Sequence, residues 1–136
     1  MSRIAVRSLC RTLAPLAALV FSAAAIATDL PARSSSASGV TLSVTPRSLA
    51  GPVWEFDVSL NTHSQDLSDE LQKSAVLAAD GGAASTHTGW RGDAPGGHHR
   101  KGVLSFAAPS AVPGAIELRV QRPGESAPRV FRWALH

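Results

Sequence analysis

Residues 53–60 read Val-Trp-Glu-Phe-Asp-Val-Ser-Leu, an unbroken alternation that puts Trp54, Phe56, Val58 and Leu60 on one side and Glu55, Asp57 and Ser59 on the other. A period of two over this length describes a strand with one buried face, not a helix. The period returns at 115–121, with Ile116, Leu118 and Val120 inward, and at 129–135, with Phe131, Trp133 and Leu135 inward. Weaker runs of the same kind occupy 40–45, 73–79, 84–90 and 101–107. Asp80-Gly81-Gly82 suits a tight hairpin, and Pro123-Gly124 opens a turn before the last run. This pattern has no room for a β-α-β unit. It predicts an all-β fold: an antiparallel seven-stranded sandwich, immunoglobulin/fibronectin type III-like. One stretch departs from it. Residues 64–71 carry acidic residues early and Leu67 and Leu71 four apart, which fits a single helical turn, while the acidic residues themselves read as a solvated loop.

The first 27 residues belong to a different physical class. Arg3, Arg7 and Arg11 precede an uncharged run from Leu13 to Ile26 that ends Ala25-Ile26-Ala27. A basic start, a short apolar run and small residues before the cut describe a secretory signal peptide. The run is shorter than the roughly 20 residues of a spanning helix. Cys10 lies before the apolar run, so it is not placed to carry a lipid after cleavage. Residues 28–39, rich in serine, read as a flexible polar tether, and 40–136 as the sandwich domain. The expected location is therefore periplasmic or secreted, with no stable membrane span after cleavage.

Cleavage changes the chemistry available. The whole chain holds 13 Lys+Arg against 10 Asp+Glu, and the leader removes three arginines and no acid, leaving a formally neutral domain. A neutral surface argues against a nucleic-acid partner. The single cysteine also leaves. Thiol nucleophiles, disulfides and thiolate-held metals are thereby excluded from the domain.

Two polar stretches remain to be placed. Asn61-Thr62-His63-Ser64 follows the second run, and Pro95-Gly96-Gly97-His98-His99-Arg100 precedes the fifth. In sandwiches of this class the second and fifth strands pair antiparallel, so the end of one lies beside the start of the other. His63 and the His98/His99 pair are thus expected at one end, together with Asp66, Asp69, Asp93, Arg100, Arg122 and Glu125. The turn at 80–82 falls at the other end.

The stretches 54–71, 75–82, 89–106 and 115–135 resemble a set of small exported prokaryotic β-sandwich domains of unassigned function. Those domains carry a THS-x-DL segment, a PPGGHHR-like segment and a final aromatic strand. The resemblance covers nearly all of the chain after the leader. It implies a fold and a compartment but no reaction. Its polar positions fall on Thr62, His63, Ser64, Asp66, Trp90, Gly96, Gly97, His98, His99 and Arg100. Ala94 stands where the pattern has proline.

The candidate ligand-binding residues are Thr62, His63, Ser64, Asp66, Trp90, Arg91, His98, His99 and Arg100. Loops at one end of a sandwich are the usual recognition surface, and Trp90 and Arg91 are good anchors. The expectation is a non-enzymatic exported binding module whose partner is a protein, a peptide or a glycan. The alternative is a transition-metal binder or metallochaperone, with zinc or copper on His63, Asp66, His98 and His99. Adjacent strand histidines point to opposite faces, so only one of His98 and His99 would join His63 unless the backbone is irregular there. A small hydrolase ranks third. Ser64, His63 and Asp66 are close in sequence, but the chain has no G-x-S-x-G elbow and therefore no catalytic residue is assigned. PGGHHR itself reads as a loop that starts a strand, with one histidine tying down the connection after residue 60.

Overall fold

A computed structural model describes residues 29–82 and 84–135, except for the side chains of 86–88. The leader lies outside the described residues. The chain forms β1 (Arg33–Ala37), β2 (Val40–Ser48), β3 (Val53–Thr62), α1 (Leu71–Ser74), β4 (Ala75–Ala79), β5 (Ala84–Gly92), β6 (His99–Ala107), β7 (Ala115–Val120) and β8 (Arg129–Ala134). Every pairing is antiparallel, in the order β1-β2-β3-β6-β5-β4-β7-β8.

The hydrogen-bonded array folds over itself at β5. The first part of that strand pairs with β4 through Val76↔Thr86 to Ala78↔Ala84. Its second part pairs with β6 through His87↔Phe106 to Gly92↔Gly102, with an irregularity between His87 and Gly89. A bulge bends a strand and increases its twist, which lets one strand serve both layers. The result is a sandwich of β1-β2-β3-β6-β5 against β5-β4-β7-β8, filled by residues of inward parity from both sheets. Phe56 and Phe106 meet edge to face at 5.8 Å, and Trp133 of the opposite sheet lies 6.0 Å from Phe56. Leu67 and Leu71 close the core from the connection between β3 and β4.

Three expectations need correction. Residues 33–37 are an ordered strand, not a free tether, and they bring the strands among the described residues to eight where seven were expected. Their side chains bury little, but their backbone pairs with β2 and their hydroxyls pair across it, Ser34 with Ser43 at 2.7 Å and Ser36 with Thr41 at 2.8 Å. The helical turn lies at 71–74, after the acidic segment and not across 64–71. The acidic residues of that segment do not share one solvated fate: Asp66 and Glu70 are exposed, whereas Asp69 is 0 % exposed. Its carboxylate meets Arg122, a partner from 53 residues later that local reading cannot supply.

The turn at 80–82 is a tight one. Asp80 and Gly81 both take positive φ, at 50° and 70°, as the two central residues of a turn closed by Gly82 N–H to the Ala79 carbonyl at 2.8 Å. The Asp80 carboxylate also accepts the Ala115 N–H, fixing the hairpin to the start of β7.

Candidate functional site

The pairing of β3 with β6 sets the geometry at the other end. Leu60 stands opposite Arg100 and Asn61 opposite His99, so the end of β3 lies beside the start of β6. Parity then sorts the side chains. Arg100 shares the inward face with Leu104 and Phe106, and His99 faces outward. The His99 Nδ1 lies 2.7 Å from the Asn61 side-chain oxygen on that exposed face.

The loop before β6 is clasped to the connection after β3 by backbone and one carboxylate. Thr62 N–H donates to the His98 carbonyl at 2.9 Å, and Leu67 N–H donates to the Gly97 carbonyl at 3.0 Å. Gly96 N–H returns a bond to the Leu67 carbonyl at 2.8 Å. The Asp66 carboxylate accepts the Gly97 N–H at 2.7 Å. Gly96 and Gly97 have φ of 122° and 70°, a path that side chains other than glycine's strain to follow. The expected tie therefore exists: the His99 ring meets Asn61, and the glycines, Asp66 and the His98 carbonyl add further bonds to it.

Trp90 packs half-buried across the strand pair. Its ring lies over Gly102, where a Cβ would come within 2.5 Å of the indole. Gly92 stands opposite Gly102, and a Cβ on it would come within 2.4 Å of the Gly102 Cα, so neither position has room for a side chain. The indole N–H donates to the Asp93 carbonyl at 2.9 Å. Arg100 stacks over the ring at 5.6 Å and is 1 % exposed. Its guanidinium donates to the carbonyls of Leu67, Asp69 and Asp93, drawing both loops onto the sheet. The Asp93 carboxylate accepts the Lys101 N–H, so this acid also works within the loop.

Behind Arg100 runs a buried ionic chain. Arg122 forms a two-pronged pair with Asp69, at 2.8 and 3.0 Å, and a further contact with Glu125 at 3.3 Å. Glu125 in turn receives two bonds from Arg129. Arg129 donates onward to the carbonyls of Ser35, Ala37 and Val40. Desolvation alone would pull the Arg122 guanidinium down, but the hydrogen bonds and charge of Asp69 and Glu125 outweigh it and leave it raised. The hydrogen bond from Arg129 holds Glu125 below the usual carboxylate range, against burial and aided by the charges of Arg129 and Arg122. Arg122 and Glu125 thus each favour the charged form through the other members of the chain.

Each sequence candidate has a definite place. Thr62 is buried, and its hydroxyl donates to the Gly39 carbonyl at 2.8 Å. Arg100 and Trp90 belong to the supporting layer. His63, Ser64, Asp66, Arg91, His98 and His99 are exposed. The fold brings Asp66 to the His98 loop but commits its carboxylate to Gly97. Among the described residues no group of three or more His, Cys, Asp or Glu is arranged to hold a metal ion. Arg91 pairs with Glu55 at 3.5 Å on the open face of β3 and β5.

Arg129 was not a candidate on sequence, and Asp69, Arg122 and Glu125 were placed only by location. A signal existed. Extending each alternation by one step puts Arg122 in phase with Ile116, Leu118 and Val120, and Arg129 in phase with Phe131 and Trp133. An arginine at inward parity next to a strand end announces a buried guanidinium that needs partners. Beside this network a cleft of about 770 Å³ opens on the β4–β7 side, lined by Ser68, Lys73, Ser74, Arg119, Arg122 and Pro123 among others, and by none of the histidines.

No helix among the described residues is long and apolar enough to cross a membrane. No protein-family model, no curated protein and no solved structure matches the chain; what stands is a small all-β domain of two packed antiparallel sheets.

Proposed function

We propose that this chain is an exported, non-enzymatic β-sandwich of immunoglobulin or fibronectin type III kind that binds a protein, peptide or glycan through its histidine-bearing end. The pairing of β3 with β6, β4 with β7 and β7 with β8 supports that kinship, because it is the strand order such sandwiches use. Export, to the periplasm or beyond, rests on the leader-like residues 1–27 and on the resemblance of the chain's segments to small exported prokaryotic domains.

One observation carries the binding reading. The two loops are cross-tied by backbone bonds and held from below by Arg100, yet His63, His98, His99 and Arg91 remain exposed. A recognition surface needs this combination, since side chains on an already ordered loop lose less entropy on binding.

The test is thermal unfolding and direct titration of the exported chain against peptide and glycan libraries, then against Zn²⁺ and Cu²⁺ after chelation. The reading expects saturable binding of a peptide or glycan that Arg91→Ala with His98→Ala removes without altering Tm. A ligand at 100 times its Kd raises stability by about 2.7 kcal/mol. A metal-induced rise in Tm, lost in both His63→Ala and His98→Ala, would replace this reading by a metal carrier.

A further inference from the structure

From the N-terminal arm, residues 30–37, we infer a second interface: reciprocal exchange of this arm between two copies of the chain. The arm is an edge strand whose attachments all address its own sequence. Leu30 packs partly buried against the core, and the Pro31 carbonyl accepts the Trp133 indole N–H at 2.8 Å. Ser34 and Ser36 match Ser43 and Thr41 hydroxyl to hydroxyl. The carbonyls of Ser35 and Ala37 accept from Arg129 at 2.9 and 2.8 Å. The same arm from another copy satisfies every one of these groups in the same register, so the arm's own contacts cost nothing to exchange.

The hinge favours opening. It is only Ser38-Gly39, and both residues have positive φ, at 51° and 75°. Serine in the left-handed region is strained. Extending the hinge removes that strain and joins β1 to β2 as one strand reaching a neighbour. Short strained hinges invite such swapping, and reciprocal exchange closes as a two-fold dimer. What the arm uncovers also needs a partner: β2 is nine residues long, with Val40, Leu42 and Val44 buried, and an exposed edge of this kind recruits a strand.

Three latches oppose opening. The Thr62 hydroxyl holds the Gly39 carbonyl, the Gln65 amide holds the Ser38 carbonyl, and Arg129 spans the hinge by bonding Val40 as well as Ser35 and Ala37. Exchange is therefore slow and rises with concentration and with loss of a latch.

The experiment mixes two full-length chains, both Cys10→Ser, one Ser34→Cys with an affinity tag and the other Ser43→Cys without it. After incubation at millimolar concentration the mixture is oxidised. The expected result is a disulfide-linked heterodimer with one tag, several-fold more abundant when both chains carry Gln65→Ala and less abundant when both carry Ser38→Gly. Free arm peptide, residues 30–37, suppresses it. The proposal is overturned if the Ser34→Cys/Ser43→Cys double variant closes its internal disulfide while the mixture yields no heterodimer. Native mass spectrometry of light and heavy unsubstituted chains gives an independent test: mixed dimers support exchange, and monomers alone overturn it.

Discussion

The centre of the sandwich and the ionic chain beneath its histidine-bearing end are both buried but held together by opposite means. In the centre, Phe56, Phe106, Trp133 and the leucines around them are stabilised by area removed from water, at about 25 cal/mol per Å² in any orientation. At the end, Asp69, Arg100, Arg122 and Arg129 are buried as charges, and each depends on a partner at a definite distance and angle. The first kind of stabilisation degrades by degrees. The second is nearly all or none, because a buried charge without its partner costs more than the pair contributed.

Substitutions should separate the two. Phe56→Ala is expected to cost about 3–5 kcal/mol in urea denaturation, as an aromatic deleted from a packed core. Arg122→Ala is expected to cost about as much, although it removes little apolar surface, because it strands the Asp69 carboxylate. The sharper result is the double variant Asp69→Leu/Arg122→Leu. It should recover most of the loss, since apolar side chains can replace a buried pair with little net change. If the double variant were as unstable as Arg122→Ala, packing and not charge would govern the end as it governs the centre.

A smaller effect is expected where the two regions meet. Gly102→Ala drives a methyl group against the Trp90 ring and the Arg91 carbonyl, and should destabilise by about 1–3 kcal/mol. Near-ultraviolet circular dichroism would register the displaced tryptophan.

Acid should act on the end and spare the centre. Glu125 is held below its ordinary value, so its contribution is complete above the unfolded carboxylate pKa of about 4.3. That contribution fades as pH falls through the lower folded value. Stability measured against pH should therefore decline in the window below about pH 4, and Glu125→Gln should make that decline shallower. The smallest effect belongs to the surface: Arg91→Ala and His98→Ala should each change stability by no more than about 0.5 kcal/mol, while affecting any ligand that uses them.

How much of this could be read beforehand depended on whether the cause was local. The alternation of Trp54, Phe56, Val58 and Leu60 located β3, and that of Phe131 and Trp133 located β8, because side-chain parity is a property of a strand by itself. The β3–β6 pairing followed from fold class, and it brought the connection after β3 to the loop before β6 as expected. Strand β1 escaped notice because its stability comes from backbone pairing with β2 and from Arg129, nearly a hundred residues away, while its own serines resemble a linker. Asp69 escaped for the same reason, since an acid in a polar segment looks solvated until a distant arginine is placed against it. The histidine pair drew attention on sequence and the His99 ring does meet Asn61, but most of the clasp is made by backbone atoms of the glycines beside it, which every residue type carries.

The sequence by itself determined that this chain makes a two-faced antiparallel β structure and where its core strands run. Periodic burial and turn-forming residues are local, and they leave no other economical fold. Tertiary structure alone decided which polar residues became architecture and which stayed exposed. Arg100, Arg122 and Arg129 are chemically the same as Arg91. Parity and a partner within about 3 Å bury the first three, and the open face of the sheet leaves the fourth in water.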